Sequence, residues 1–100
     1  MTGKLIWDEA KRQSNLAKHG LDFAQADAVL DAQYRQDVPI ARYGENRVLS
    51  VAYALGFLSV LTVVHTDREG MYRIISFRRA SGAEREVYDD WLENGYDDSQ

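Results

Sequence analysis

Two adjacent arginines, Arg78 and Arg79, end an apolar run, and a helix-start signal follows them directly. A guanidinium group is always charged and gives paired hydrogen bonds to phosphate oxygens. The first N–H groups of a helix are free, and the helix dipole is positive at that end. We therefore predict that both arginines converge with the helix start on an anion site. The alternative is surface ion pairs worth about 0–1 kcal/mol each, Arg79 with Glu84 or Glu86 and Arg78 with the acidic C-terminal residues.

The elements that position these arginines are a small sheet and three helices. Asp8 and Asp22 are predicted to cap the first two helices, Gly20 to end the first, and Ser81 with Glu84 to form a capping box. Apolar alternation predicts the strands, and Pro39 falls in a polar stretch before the first long one. The predicted strands cover 4–7, 47–54, 57–65 and 72–79, and the predicted helices cover 9–18, a segment after Asp22, and 82–93.

This order, β-α-α-β-β-β-α, predicts an α+β domain. Amphipathic helices and a half-apolar sheet can bury their apolar surfaces only against each other. We expect a small antiparallel sheet with its helices packed on one face. A single domain over residues 1–94 is predicted, followed by an acidic, frayed tail over 95–100.

The predicted strand pairing separates the charged residues into two clusters. Strand alternation places Arg78 on one face with Tyr72, Ile74 and Ser76, and Arg79 on the other with Arg73, Ile75 and Phe77. A tight turn near Leu55 and Gly56 would put Arg47 opposite His65, and the next turn would put His65 opposite Tyr72. Arg78 would then lie about 20 Å from His65 along the strand.

Composition excludes several classes of protein. The 100 residues include no cysteine, so disulfides and thiolate metal sites are ruled out. The longest apolar stretch, residues 55–64, is well short of the ~20 residues that a membrane helix needs. The N-terminus lacks the apolar core of a secretory signal, and we predict a cytoplasmic protein. The net charge is -4, but the acidic residues are concentrated after position 85 and the rest of the chain is mildly basic.

Four stretches of the chain resemble one protein family. They are "IWDEAKRQSNLAKHGLDFAQA" (6–26), "YGENR" (43–47), "SVLTVVHTDR" (59–68) and "RIISFRRASGAEREVY" (73–88). In this arrangement the chain is similar to BrnT-family toxins, the ribonuclease components of bacterial type II toxin–antitoxin pairs with a RelE-like fold. Phe77 departs from the pattern, because a small residue commonly precedes the arginines in such proteins.

The resemblance implies an endoribonuclease that a cognate antitoxin holds inactive. The two proteins would form a complex that represses its own operon through the DNA-binding domain of the antitoxin. No metal or other cofactor is expected. DNA binding by this chain alone is not implied.

Metal-independent RNA cleavage by attack of the 2′-hydroxyl needs a proton acceptor, positive charge beside the phosphorane oxygens and an acid for the leaving 5′-oxygen. Arg78 and Arg79 are the predicted charge stabilisers. Glu45 or His65 is the candidate base, and Arg47 would bind phosphate or lower the pKa of Glu45. The alternatives are that Glu45 and Arg47 only pair with each other and that His65 only ends a strand with its ring bonded to a backbone carbonyl.

Lys18, His19 and Arg73 are predicted RNA contacts. Lys18 and His19 end the first helix, where His19 can instead simply cap the C-terminus as a favourable cation.

Two other functions are considered. A non-catalytic module could bind RNA or a partner peptide at its basic surface or at an open sheet edge. A metal-dependent nuclease is disfavoured, because the carboxylates cluster near the C-terminus and neither a D-x-D nor an H-x-x-x-H motif is present.

Overall fold

A computed structural model describes residues 3–95, and these form a five-stranded sheet with three α-helices. The predicted acidic tail lies, apart from Gly95, outside the described residues. The strands are β1 (Lys4–Ile6), β2 (Gln36–Arg42), β3 (Glu45–Ala54), β4 (Ser59–Arg68) and β5 (Met71–Arg79), and the helices are α1 (Glu9–His19), α2 (Asp27–Leu30) and α3 (Gly82–Glu93). Two 3-10 turns, Phe23–Gln25 and Leu55–Phe57, complete the order. The α+β class is confirmed.

The predicted helix signals act as expected. The Asp8 carboxylate accepts the N–H of Lys11 at the start of α1, and Gly20 ends that helix with a φ of 72°. At α3, the Ser81 hydroxyl accepts the Glu84 N–H while the Glu84 carboxylate accepts the Ser81 N–H, which is the predicted capping box. Asp22 caps the 3-10 turn that leads into α2 rather than α2 itself.

The sheet order is β1-β5-β4-β3-β2, with β1 parallel to β5 and the other neighbours antiparallel. The prediction of a purely antiparallel sheet was therefore wrong, because β1 docks on a strand from the far end of the chain. Strand β2 was missed, since Pro39 lies in its middle. An edge strand tolerates proline because the N–H groups on its outer side have no partner to lose.

The helices lie on both faces of the sheet, which corrects the prediction of a one-sided packing. Adjacent residues such as Val51 and Ala52 point to opposite faces and belong to two separate cores. The larger core joins Ala52 and Leu61 to the segment that contains Phe23 and α2. The smaller core joins Val51 and Val60 to Tyr88 of α3. We call the first side the α2 face and the second the α3 face.

Strand register decides which charged residues share a face. The β3–β4 connection has four residues, Leu55–Leu58, so Val48 rather than Arg47 lies opposite His65. A one-residue slip reverses the face of every side chain, so Arg47 lies on the α3 face and His65 on the α2 face.

A β-bulge produces a second correction. The pairs Val64↔Ser76 and His65↔Ile74 leave Ile75 as an extra residue in β5. Across this bulge the alternation shifts by one residue. Arg78 therefore shares the α3 face with Ser76 and Arg73, and not with Tyr72 and Ile74 as predicted.

Candidate functional site

Part of the α3 face lies beyond the helix and is lined by arginines. Arg47 lies opposite Ile40 of β2, and Arg73 lies opposite Thr66 of β4. Arg47 and Thr66 are both next to the Val48↔His65 pair, on the same side of it, so the two arginines lie at the same level of the sheet. Arg47 and Arg73 are thus separated by two strand spacings, about 10 Å. We call this uncovered part the arginine face.

The next levels of the same face are apolar and then basic again. A half-buried row of small and apolar side chains crosses the four strands, formed by Val38, Leu49, Val64 and Ser76. Beyond this row, Thr62 pairs with Arg78. Four residues of β4 separate the levels of Arg73 and Arg78, which is about 13 Å along the strand. The arginine face is therefore a mainly apolar floor with guanidinium groups at both ends, and α3 borders it, because Val38 and Leu49 share a groove with Ala83 and Val87.

At one end, Arg78 is held by the first turn of α3. Its Nη1 and Nη2 atoms each donate to one carboxylate oxygen of Glu84 at 2.8 Å. The Thr62 hydroxyl donates to the same carboxylate at 3.1 Å. These contacts, led by Arg78, lower the pKa of Glu84 to about 2. The N-terminus of α3 is thus already occupied by an anion of the chain itself, the Glu84 carboxylate.

Arg79 does not join this cluster. It pairs with Leu61 on the α2 face and its side chain is exposed, whereas Arg78 is half-buried. Of the two arginines, Arg78 alone bonds the Glu84 carboxylate at the start of α3, so two guanidinium groups do not converge there. The ion pair of Arg78 with Glu84 also differs from both surface pairings that the sequence suggested.

At the other end, Arg47 and Glu45 form a pair beside the β2–β3 turn. Arg47 Nε donates to Glu45 Oε1 at 2.9 Å, and 41% of the Glu45 side chain is exposed. The two residues are two apart on one strand, so they lie on the same face. The Tyr43 ring contacts the Arg47 guanidinium, with 5.9 Å between the guanidinium carbon and the ring centroid.

Arg73 lies exposed on the same face. Across residues 3–95 no carboxylate forms an ion pair with it. Its charge is therefore available to an external anion, whereas both Nη atoms of Arg78 already bond the Glu84 carboxylate.

A comparison with protein families settles the relationship of the chain. The family model for the ribonuclease toxin, BrnT, of type II toxin–antitoxin systems matches residues 7–84. The chain belongs to the BrnT family. The match spans every strand from β2 to β5 and the first turn of α3. No curated protein matches the chain.

The family membership identifies the class of target and partner. A BrnT toxin of a type II system acts on RNA and has a cognate antitoxin. Within residues 3–95, no helix is long and apolar enough to cross a membrane. In the same range, no three His, Cys, Asp or Glu side chains are grouped as metal ligands would be.

Lys18 and His19 of this BrnT-family chain border the sheet at the β5 edge. Together with Ile75 and Ser76 they line a shallow cleft next to the bulge. Lys18 is exposed and His19 is half-buried. Because Ser76 belongs to the apolar row, the two predicted RNA contacts lie beside the arginine face.

His65 lies in a different environment, on the α2 face. Its side chain is fully buried, with Nε2 at 2.8 Å from Ser50 Oγ and Nδ1 at 2.5 Å from Asp67 Oδ1. Burial lowers the pKa of His65 against the opposing influence of Asp67. Neither ring nitrogen is free to accept a proton from an RNA ribose. The ring bonds side chains rather than the backbone carbonyl that the alternative reading expected.

The His65 network includes residues that the sequence did not single out. Ser50 Oγ donates to Asp37 at 2.6 Å, and Arg35 makes two hydrogen bonds to the same carboxylate. Burial alone would raise the pKa of Asp37, but these partners lower it. No local sequence pattern marked this network, because Asp37, Ser50 and His65 come from three strands and β2 was not recognised. The network joins β2, β3 and β4 on the α2 face.

Proposed function

We propose that this chain is a cytoplasmic endoribonuclease of RelE-like fold that binds single-stranded RNA across the arginine face. It cleaves, without a metal ion, by attack of the 2′-hydroxyl on the adjacent phosphorus, which breaks the bond from phosphorus to the 5′-oxygen and leaves a 2′,3′-cyclic phosphate. The 5′-oxygen takes a proton from water and leaves as a hydroxyl group. The family supports ribonuclease activity, and the arginine face supports the location.

One observation carries the location: Arg47, Arg73 and Arg78 lie on the same sheet face around an apolar floor. Phosphates need guanidinium partners, and bases need apolar surface on which to lie. The α2 face carries the exposed Arg79 but offers no open apolar floor, because its central residues are buried under the segment that contains Phe23 and α2.

In this proposal Glu45 is the proton acceptor and Arg47 binds the reacting phosphate. Glu45 is partly exposed and its carboxylate is already positioned by Arg47. A base must lie within hydrogen-bond reach of the proton that it removes, and Glu45 meets this condition on the open surface while His65 does not. Arg73 would hold a neighbouring phosphate, and Arg78 would border the far end with its charge already paired to Glu84.

The antitoxin is proposed to inhibit by covering the same face. Its binding would bury the apolar row and neutralise Arg73. We further propose that the toxin–antitoxin complex represses its own operon through a DNA-binding domain of the antitoxin.

The test is cleavage of a labelled single-stranded RNA by wild type, Arg73→Gln and Arg85→Gln in the presence of EDTA. Arg85 lies exposed on α3, so the control removes the same charge from another surface. Loss of one charge-assisted phosphate contact should slow cleavage about tenfold in Arg73→Gln. The control should cut at the wild-type rate.

Three results would count against the proposal. Equal loss in both variants would mean that only overall charge matters. Dependence on a metal would contradict the proposed mechanism. Binding without any cleavage would support the non-catalytic RNA-binding module.

A further inference from the structure

Tyr43 is the most exposed of the large hydrophobic side chains that residues 3–95 leave open to solvent. It lies in the two-residue turn between β2 and β3, and 90% of it is accessible. An aromatic ring in this position contributes little to the core. Its exposure needs another explanation.

The backbone at Tyr43 is strained. Its φ is 54°, in the left-handed region, and Gly44 follows with a φ of 71°. Two-residue hairpin turns of this shape favour Asn-Gly or Asp-Gly, because those residues tolerate a positive φ. A tyrosine here lowers the stability of the turn and gains no burial in return. Strained residues cluster at ligand sites, but Leu58 and Glu69 also have a positive φ, so the strain at Tyr43 counts only together with the arginines that contact its ring.

Two arginines fix the ring on one side of the sheet. The Arg42 and Arg47 guanidinium carbons lie 6.0 and 5.9 Å from the ring centroid. Arg42 lies opposite Glu45 in the β2–β3 register, and Glu45 is on the same face as Arg47, so both arginines lie on the arginine face. Glu45 holds Arg47 in place by the hydrogen bond to Nε. The ring is thus positioned at the end of the arginine face, beside the proposed reacting phosphate.

We propose that Tyr43 forms a binding site for an unpaired nucleobase. The base stacks on the exposed ring, and the phosphate of the same nucleotide bonds Arg47. Every base has an aromatic face, so the contact is strong without being sequence-specific. The proposal rests on the proposed function, because it needs RNA on the arginine face.

The experiment uses a short single-stranded 2′-O-methyl RNA that carries one 2-aminopurine and cannot be cleaved by 2′-hydroxyl attack. Fluorescence anisotropy measures binding, and quenching of 2-aminopurine measures stacking. The proteins are wild type, Tyr43→Phe, Tyr43→Asn and Leu58→Asn. Leu58 is the matched control: it has a φ of 52° and is 75% exposed, but lies at the β3–β4 connection.

Tyr43→Phe should bind and quench like wild type. Tyr43→Asn should bind about tenfold more weakly, because one base loses its stacking partner, and should not quench. Both asparagine variants should melt at or above the wild-type temperature, because asparagine relieves the positive φ. Weaker binding by a variant that is no less stable cannot be a folding defect.

Two outcomes would overturn the proposal, and they are distinguishable. If wild type binds the RNA and Tyr43→Asn binds and quenches equally well, stacking on Tyr43 is refuted while the proposed function stands. If wild type does not bind RNA at all, both proposals fail. Equal weakening in Leu58→Asn would also reject a specific role for Tyr43.

Discussion

Replacing Glu84 with glutamine should lower the stability of the domain and raise its affinity for RNA. The carboxylate accepts two hydrogen bonds from Arg78, at 2.8 Å each, and closes the capping box with the Ser81 N–H. Glutamine keeps one carbonyl acceptor but loses the charge and the paired geometry. Arg78 is then free to bind phosphate.

The magnitude follows from the pKa of Glu84, which Arg78 and the other contacts lower from 4.5 to about 2. A shift of this size corresponds to at most about 3 kcal/mol. The ion pair is partly exposed, with 28% of the Arg78 side chain and 20% of the Glu84 side chain accessible. Solvent screening reduces the expected loss to about 1–2 kcal/mol, which lowers the melting temperature by about 5–15 °C in a domain of this size.

The change in RNA affinity has the opposite sign. One additional unpaired guanidinium should strengthen binding several-fold at low salt and steepen the salt dependence of log Kd by about one unit. The matched control is Glu86→Gln, which removes the same charge from an exposed position two residues further along α3. The free energy of unfolding of that variant should lie within about 0.5 kcal/mol of the wild-type value.

Thermal unfolding and RNA titrations over a range of salt concentrations measure both effects. If Glu84→Gln binds RNA no better than Glu86→Gln, Arg78 lies outside the RNA path and the extent of the arginine face is wrong. If the stability of Glu84→Gln equals that of wild type, the ion pair between Arg78 and Glu84 does not stabilise the domain. Wild type should also lose stability as the pH falls from 4.5 towards 2, because the unfolded state then binds the Glu84 proton while the folded carboxylate, bonded to Arg78, stays charged.

Two further predictions concern the fold. Asn15 is 8% exposed and bonds both the N–H and the carbonyl of Phe77 on the edge of β5, so Asn15→Ala should cost about 2–4 kcal/mol in urea unfolding; an unchanged midpoint would show that water replaces these bonds. Because burial lowers the pKa of His65, the unfolded state binds its proton more tightly, and stability should fall as the pH decreases below about 6.5. The range from pH 6.5 to pH 5 lies above the ordinary carboxylate pKa values. Greater stability at pH 5 than at pH 7 would instead indicate a buried imidazolium paired with Asp67.

The local elements of the fold could be predicted because each depends on residues close in sequence. The Ser81–Glu84 capping box and the Asp8 and Gly20 caps join groups within a few positions of one another. Three of the long strands were also recognised, since their alternation is strong. Strand β2 was not, because Pro39 is typical of a loop and only the edge position makes it acceptable.

The candidate site was predicted only in part. The sequence and its family resemblance selected Arg47, Arg73 and Arg78, and these lie on one face. The pairing of Glu45 with Arg47 was among the alternatives and is observed. His65 and Arg79 lie on the α2 face, away from the residues with which the sequence grouped them. The roles of all these residues in catalysis stay predictions.

The sequence by itself determined the family, the α+β class and the ends of the helices, because these depend on residue type and short spacing. The tertiary structure decided the parallel docking of β1, the position of α3 and the composition of the arginine face. The physical reason is the two-residue period of a strand: a single extra residue, such as Ile75 at the bulge, moves every later side chain to the opposite face. Local sequence signals do not specify such a shift, because it is set by pairing between distant strands.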